Sequence, residues 1–231
     1  PVLLPLINSS HPEVLVFNVN DIRTLREHGV LGVLIGTLAQ YPQQNFYLSV
    51  PLRLQIWEVL WLLDRGLARL VDYVKYRQFL KDTLSQDALS QDALSPQNTP
   101  SHDTLSSTNS LSPFEVSSHD YLNRLPVTPA FVSNYLSFKF LKEMGYFISP
   151  GLKFGGDLVI YPGDPLKFHS YSIVKFGHIN VNDLVVGGRL ATGVKKNYVI
   201  MDDMEQPEAT ESEIFSEPKK LAFSVEWAGF G

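Results

Sequence analysis

The 231-residue sequence contains no cysteine. That excludes disulfides, thiolate metal sites and cysteine nucleophiles at once, and it fits a reducing compartment. It also lacks any run near the ~18 consecutive apolar residues that a membrane-spanning helix needs. No charged, apolar and small-residue pattern of a secretory signal follows Pro1. Phosphate-loop and dinucleotide fingerprints are missing as well. What is present is the composition of a folded, water-exposed protein, 44% hydrophobic and 19% charged.

Positive charge is scarce overall, with a formal net charge of −5, but it is unevenly spread. Residues 134–200 hold eight basic against four acidic residues, whereas residues 201–231 hold two against eight. Residues 83–133 are also acidic, with one basic residue against five acidic ones. A polyanion would therefore meet the block at 134–200.

Residues 84–113, "LSQDALSQDALSPQNTPSHDTLSSTNSLSP", carry a tandem repeat and are otherwise rich in Ser, Thr, Asp, Asn and Pro. Such a segment buries too little apolar surface to offset its ordering entropy, so a disordered linker is expected over 83–125. This divides the chain into an N-terminal domain, 1–82, and a C-terminal domain, 126–231. His102 and His119, in the linker, are expected to be inert. The acidic segment 202–217 has no calcium-loop pattern and is expected to be a solvated loop.

In the first domain, "VLVFNV" at 14–19 predicts a strand, Asn20 a helix cap and Gly29 the stop of that helix. Ser49 and Pro51 mark the expected start of a second helix ending at Gly66, with Trp57 and Trp61 in the core. In the second domain a helix is expected from Ser133 to Met144. "YFISPG" and "DLVIYPG" predict strands on either side of a glycine-rich turn, and "FHSYSIV" predicts a third. "NDLVVGGRLA" predicts a helix, with its paired glycines serving close packing. "VKKNYVIM" and "LAFSVEWAGF" predict two closing strands. The class is α/β or α+β: a small N-terminal domain followed by a domain with a mixed sheet flanked by helices.

Three titratable types in the second domain suit acid–base chemistry: Tyr161, His169 and one of Lys195 or Lys196. Tyr161 and His169 flank a rigid proline-glycine turn, and the two lysines point to opposite faces if they enter a strand. Spacing alone fits a tyrosine at a strand end, a surface histidine and solvated lysines better than a catalytic set. His169 and His178 lack the spacing of a zinc site.

The stretch "FLKEMGYFISPGLKFGGDLVIYPGDPLKFHS", with "GRLATGVKKNYVI" and "FSVEWAGFG", resembles the catalytic core of eukaryotic tRNA-splicing endonucleases. The likeness is to the subunits assigned to the 3′ splice site, and it extends to "GVLIGTLAQYPQQNFYLSVPLRL" in the first domain. It implies a metal-free, cofactor-free triad of Tyr161, His169 and Lys196, with Lys195 the fallback for the lysine. The implied reaction is attack of the substrate's 2′-hydroxyl on the adjacent phosphorus, giving a 2′,3′-cyclic phosphate and a 5′-hydroxyl. Tyrosine is the base and histidine the acid in the similar enzymes. Because a phenol ordinarily titrates near ~10 and an imidazole near ~6.5, the reverse assignment stays open.

The resemblance further implies pre-tRNA as substrate and a heterotetramer of two catalytic and two structural subunits. The small structural partner would be bound through the C-terminal strands. It implies a nuclear location or, as in some fungi, the mitochondrial outer surface. Lys153, Lys167 and Arg189 are expected phosphate contacts. A non-catalytic structural or RNA-binding subunit of the same complex is the alternative, against which the complete Tyr161, His169 and Lys196 set argues.

Overall fold

In the computed structural model, residues 1–8, 12–37, 48–90 and 112–226 are described. The first sheet is built from β1 (Val2–Asn8), β2 (Glu13–Val16), β3 (Val33–Thr37), β4 (Leu48–Arg53), β5 (Ala68–Asp72) and β6 (Glu115–Val116), in the order β3-β4-β2-β1-β5-β6. Helices α1 (Val19–Glu27), α2 (Ile56–Asp64) and α3 (Tyr73–Ser90) connect or follow these strands. The second sheet contains β7 (Phe147–Pro150), β8 (Leu158–Tyr161), β9 (Ser172–Phe176), β10 (Asn197–Asp203) and β11 (Lys220–Val225), in the order β11-β10-β9-β8-β7. Around it lie α4 (Ser118–Leu122), α5 (Pro129–Glu143), α6 (Val181–Gly193) and α7 (Glu211–Ile214). Both sheets are mixed: β1 runs parallel to β5, and β9 parallel to β10 with α6 as the crossover. The fold is α+β, as the sequence implied.

The second sheet is covered on both faces. Leu158, Ile160, Val174 and Met201 face α5, where Tyr135, Leu136 and Phe138 are buried. The opposite face carries Ile173 and Tyr198, packed under Ala191 of α6 with Phe154, Leu184 and Ile200 around them. The core on the α5 side is continuous with that of the first sheet, reaching Leu4, Leu6, Leu25, Leu60 and Leu70. Trp57 bridges them, its ring 6.1 Å from that of Phe138 and 6.0 Å from that of Phe176.

Two buried ionisable groups stitch this seam. Glu58, 2% exposed, accepts from the amides of Gln55 (2.9 Å), Leu31 (3.1 Å) and Gly32 (2.9 Å). Burial raises its carboxyl above the usual range, with the three hydrogen bonds opposing. Lys142 of α5 donates to the carbonyls of His28 (3.0 Å) and Gly29 (2.9 Å) at the end of α1, and its ammonium lies over the Trp61 ring at 4.6 Å. A cation there complements the negative end of the helix. Burial pulls Lys142 down from 10.5 to about 8, with Glu58 opposing. Between those two values the unfolded lysine holds a proton that the folded one has released. Its contribution therefore favours folding more as pH rises through that window.

Several expectations are corrected. Asn18, not Asn20, caps α1, its side chain accepting from the Asn20 amide. Ser49 and Pro51 lie in β4; the helix begins after Gln55, where Gln55 and Glu58 form a capping box. The helix expected from Ser133 starts earlier, at Pro129, because Thr128 supplies the cap. The sequence reading did not find β1, β3, β5 or α3.

The expected linker 83–125 is ordered at both ends. Helix α3 runs through 83–90, and β6 pairs with β5 while Tyr121 and Leu122 of α4 are buried. The rest of it, 91–111, lies outside the described residues. His119, expected to be inert, bonds Glu211 at 2.6 Å. The acidic segment 202–217 likewise contributes the end of β10 and α7, where Ile214 is fully buried.

Replacing Glu58 by Ala leaves three inward-facing amides without their acceptor. We expect a loss of about 3 kcal/mol or more in urea unfolding, and a smaller loss for Glu58→Gln, which keeps an oxygen. At Gly187 a Cβ would lie 2.3 Å from the Tyr198 ring, whereas at Gly193 nothing lies within 4 Å. Gly187→Ala should therefore cost about 1–3 kcal/mol through overpacking, while Gly193→Ala is neutral or stabilising; thermal unfolding of the pair separates the two effects.

Candidate functional site

Strand register brings the candidate residues to one end of the second sheet. Ile160 of β8 pairs with Ser172 of β9, and Ser172 pairs with Asn197 of β10. One step beyond that row are Tyr161, Tyr171 and Lys196. Alternation turns Tyr161 to the same side as Val159, which pairs with Ile173 and so faces α6. Its hydroxyl lies 3.5 Å from Ser149 Oγ, across the β7–β8 pair. Tyr161 is half-buried at this sheet end.

His169 lies on the loop between β8 and β9, outside the strand that "FHSYSIV" predicted, and is exposed. Its two following residues are pinned on both sides. The Tyr171 amide donates to the Ile160 carbonyl (3.3 Å), next to Tyr161, and the Tyr171 carbonyl accepts from the Asn197 amide (2.7 Å), next to Lys196. The Lys196 ammonium donates to the Ser170 carbonyl (2.7 Å) and contacts Ser170 Oγ. It also lies over the Phe154 ring at 5.4 Å. An ammonium has three hydrogens, and Ser170 engages two acceptor positions, which leaves one N–H for a ligand.

The structure separates the two lysines. Neither is in β10. Lys195 is in the left-handed region, φ 54°, at the turn that ends α6, and its side chain is exposed. Its amide donates to Thr192, that of Lys196 to Ala191, closing the helix. Lys196 is thereby turned back over Phe154 toward Ser170, while the Lys195 side chain stays exposed.

The loop before His169 is itself organised. The Asp164 carbonyl accepts from the amides of Lys167 (2.8 Å) and Phe168 (3.0 Å), and Asp164 Oδ1 accepts from Leu166 (2.8 Å). Gly163 approaches the Phe168 ring so closely that a Cβ would lie 2.7 Å from it. Arg26 holds the Asp164 carboxylate with both prongs, Nε to Oδ2 at 2.7 Å and Nη2 to Oδ1 at 2.8 Å. That bond is the main reason why the Asp164 carboxyl is lowered to about 2. Arg26 was missed from sequence, because it lies 138 positions from its partner.

Among the expected phosphate contacts, Lys153 is exposed on the short 3-10 turn Leu152–Phe154, beside the Phe154 ring that carries Lys196. Lys167 is exposed two residues before His169, and Arg189 is exposed on α6. His178 is apart from the row, bonded to Asp202 at 3.1 Å. No group of three His, Asp or Glu able to hold a metal ion occurs among the described residues.

Tyr161 and Lys196 thus stand on either side of Tyr171 at one sheet end, with His169 on the loop two residues before Tyr171. A phenol, an imidazole and an ammonium are groups suited to proton transfer around an anion.

Comparison with known proteins agrees in both halves of the chain. Residues 5–73 match a family model described as "TSEN34-like, N-terminal domain", and residues 131–205 match "tRNA intron endonuclease, catalytic C-terminal domain". The probable tRNA-splicing endonuclease subunit sen34 of Schizosaccharomyces pombe is 31% identical over 97% of this chain and 98% of its own. The tRNA-splicing endonuclease subunit SEN34 of Saccharomyces cerevisiae is 31% identical over 94% of this chain and 99% of its own. Human tRNA-splicing endonuclease subunit Sen34 is 36% identical over 43% of this chain and 30% of its own. With two full-length relatives and both domain types in order, the chain belongs to the Sen34 family of tRNA-splicing endonuclease subunits.

Proposed function

We propose that this chain cuts pre-tRNA at the 3′ splice site, by attack of the substrate's own 2′-hydroxyl and without a metal ion. The observation that carries the reading is the pinning of the His169 segment between Ile160, next to Tyr161, and Lys196. Tyr161 takes the 2′-proton as the O2′–P bond forms. The P–O5′ bond breaks, and His169 protonates the departing 5′-oxygen. The products are a 2′,3′-cyclic phosphate and a 5′-hydroxyl. Lys196, with one N–H beyond its Ser170 bonds, stabilises charge on the phosphoryl oxygens. Lys153, Lys167 and Arg189 are assigned to flanking phosphates.

The chain acts within a complex of two catalytic and two structural subunits. Docking of the small structural partner is assigned to β11, the last strand of its sheet, which leaves Phe223 58% exposed. An edge of this kind accepts a partner strand through main-chain hydrogen bonds. The compartment that follows from this reading is the nucleus or, in some fungi, the mitochondrial surface.

The test is reconstitution with the partner subunits and an intron-containing tRNA in excess chelator. His169→Ala should lower 3′-site cutting by about 10²–10⁴-fold, the range for loss of a general acid or base, with assembly and 5′-site cutting retained. Undiminished 3′-site cutting by that variant would sink the assignment. A divalent-metal requirement in the chemical step would sink the mechanism.

A further inference from the structure

The Arg26–Asp164 pair joins α1, in the first half of the chain, to the loop that delivers His169. Both partners are partly exposed, at 33% and 25%, and exposed ion pairs contribute little to overall stability. Its geometry is more informative than its strength. A bidentate fork fixes the carboxylate plane as well as its position. The backbone and side chain of Asp164 together accept the amides of Leu166, Lys167 and Phe168, so the turn takes its orientation from this one residue. The next residue is His169. Downstream, Ser170 and Tyr171 are held by Lys196 and Ile160. The histidine segment is therefore held at both ends, and Arg26 is the part of the upstream anchor that comes from α1, in the other half of the chain.

We propose that Arg26 is a positioning residue for strand cleavage: through its two-pronged bond to Asp164, the N-terminal half sets the place of His169 against the scissile phosphate. The proposal rests on the reading of His169 as the group that acts on the leaving oxygen. Arg26 itself touches no reacting atom. With Asp164 lowered to about 2 and Arg26 raised by the same bond, the pair stays ionised across any neutral assay range. The clamp thus adds no titration of its own to the pH profile of cutting.

The experiment uses the reconstituted complex under single-turnover conditions with saturating pre-tRNA. Arg26→Ala should slow 3′-site cutting by about 10–100-fold, the scale of a small misplacement of a catalytic group. Substrate affinity and 5′-site cutting should stay within twofold. Arg26→Lys recovers little, since one ammonium cannot reproduce the fork, whereas the swap Arg26→Asp with Asp164→Arg recovers more than either change alone. The Arg26→Ala, His169→Ala double variant should be no slower than His169→Ala. Hydrogen exchange at the amides of 166–168 should rise in Arg26→Ala. Full-rate cutting by Arg26→Ala, multiplicative losses in the double variant, or unchanged exchange at 166–168 each overturns the proposal. Full-rate cutting by His169→Ala overturns the underlying reading as well, so the two failures are told apart.

Discussion

The two halves of this protein are pinned to each other by the buried Lys142 ammonium. Lys142 leaves α5, crosses the seam, and takes the His28 and Gly29 carbonyls at the end of α1, with the Trp61 ring beneath it. Glu58 on α2, whose charge acts on Lys142, ties the following segment by accepting the Leu31 and Gly32 amides. Apolar burial alone would leave the sheets free to slide, since hydrophobic contact is non-directional. Directional bonds to carbonyls fix the register of α1 against α5. Arg26 is in the last turn of that same helix, so its reach to Asp164 depends on where Lys142 holds the helix end.

That dependence explains which parts were legible in the sequence. Tyr161 ends β8 and His169 lies on the loop that follows it, and their local motif carries its own chemistry. Most of the second domain's strands, and α6, read correctly because alternation and helical spacing coincide with burial there. Strand β1 did not: its apolar run contains Pro5, which ordinarily argues against a central strand. Here Pro5 pairs with Val71 of a parallel neighbour that is distant in sequence. Segment 112–125 was misread because β6 is two residues long and exists only by pairing with β5. Composition sees no such long-range partner.

The lysine pair shows the same limit at the site. In "VKKNYVI" the two residues are chemically identical, and their roles differ only through backbone shape. Helix α6 ends in a turn that puts Lys195 in the left-handed region, where glycine is the usual occupant. The consequence is that Lys196, not Lys195, returns over Phe154 to Ser170. Gly187 allows this by letting α6 settle on Tyr198, two residues past Lys196. A side-chain direction at the site is thus set by a close approach elsewhere on the helix.

Charge completes the picture and weakens the simplest reading of the basic block. Of the basic residues in 134–200, Lys139 is buried against Asp64 and the Phe215 and Ser216 carbonyls, and Lys142 is used at the seam. Lys175 pairs with Asp157, and Lys196 is bonded to Ser170. The acidic stretch that follows is similarly engaged, with Asp203 on Lys220, Asp202 on His178 and Glu211 on His119. Half of the eight basic residues over 134–200 are therefore internal wiring, while Lys153, Lys167, Arg189 and Lys195 stay exposed. Nucleic-acid affinity grows with the number of phosphates that a surface neutralises, and the exposed half of these cations is what is placed to do that. The positive charge in this half of the chain is thus divided between bonds that hold the fold together and exposed side chains left to meet the polyanion.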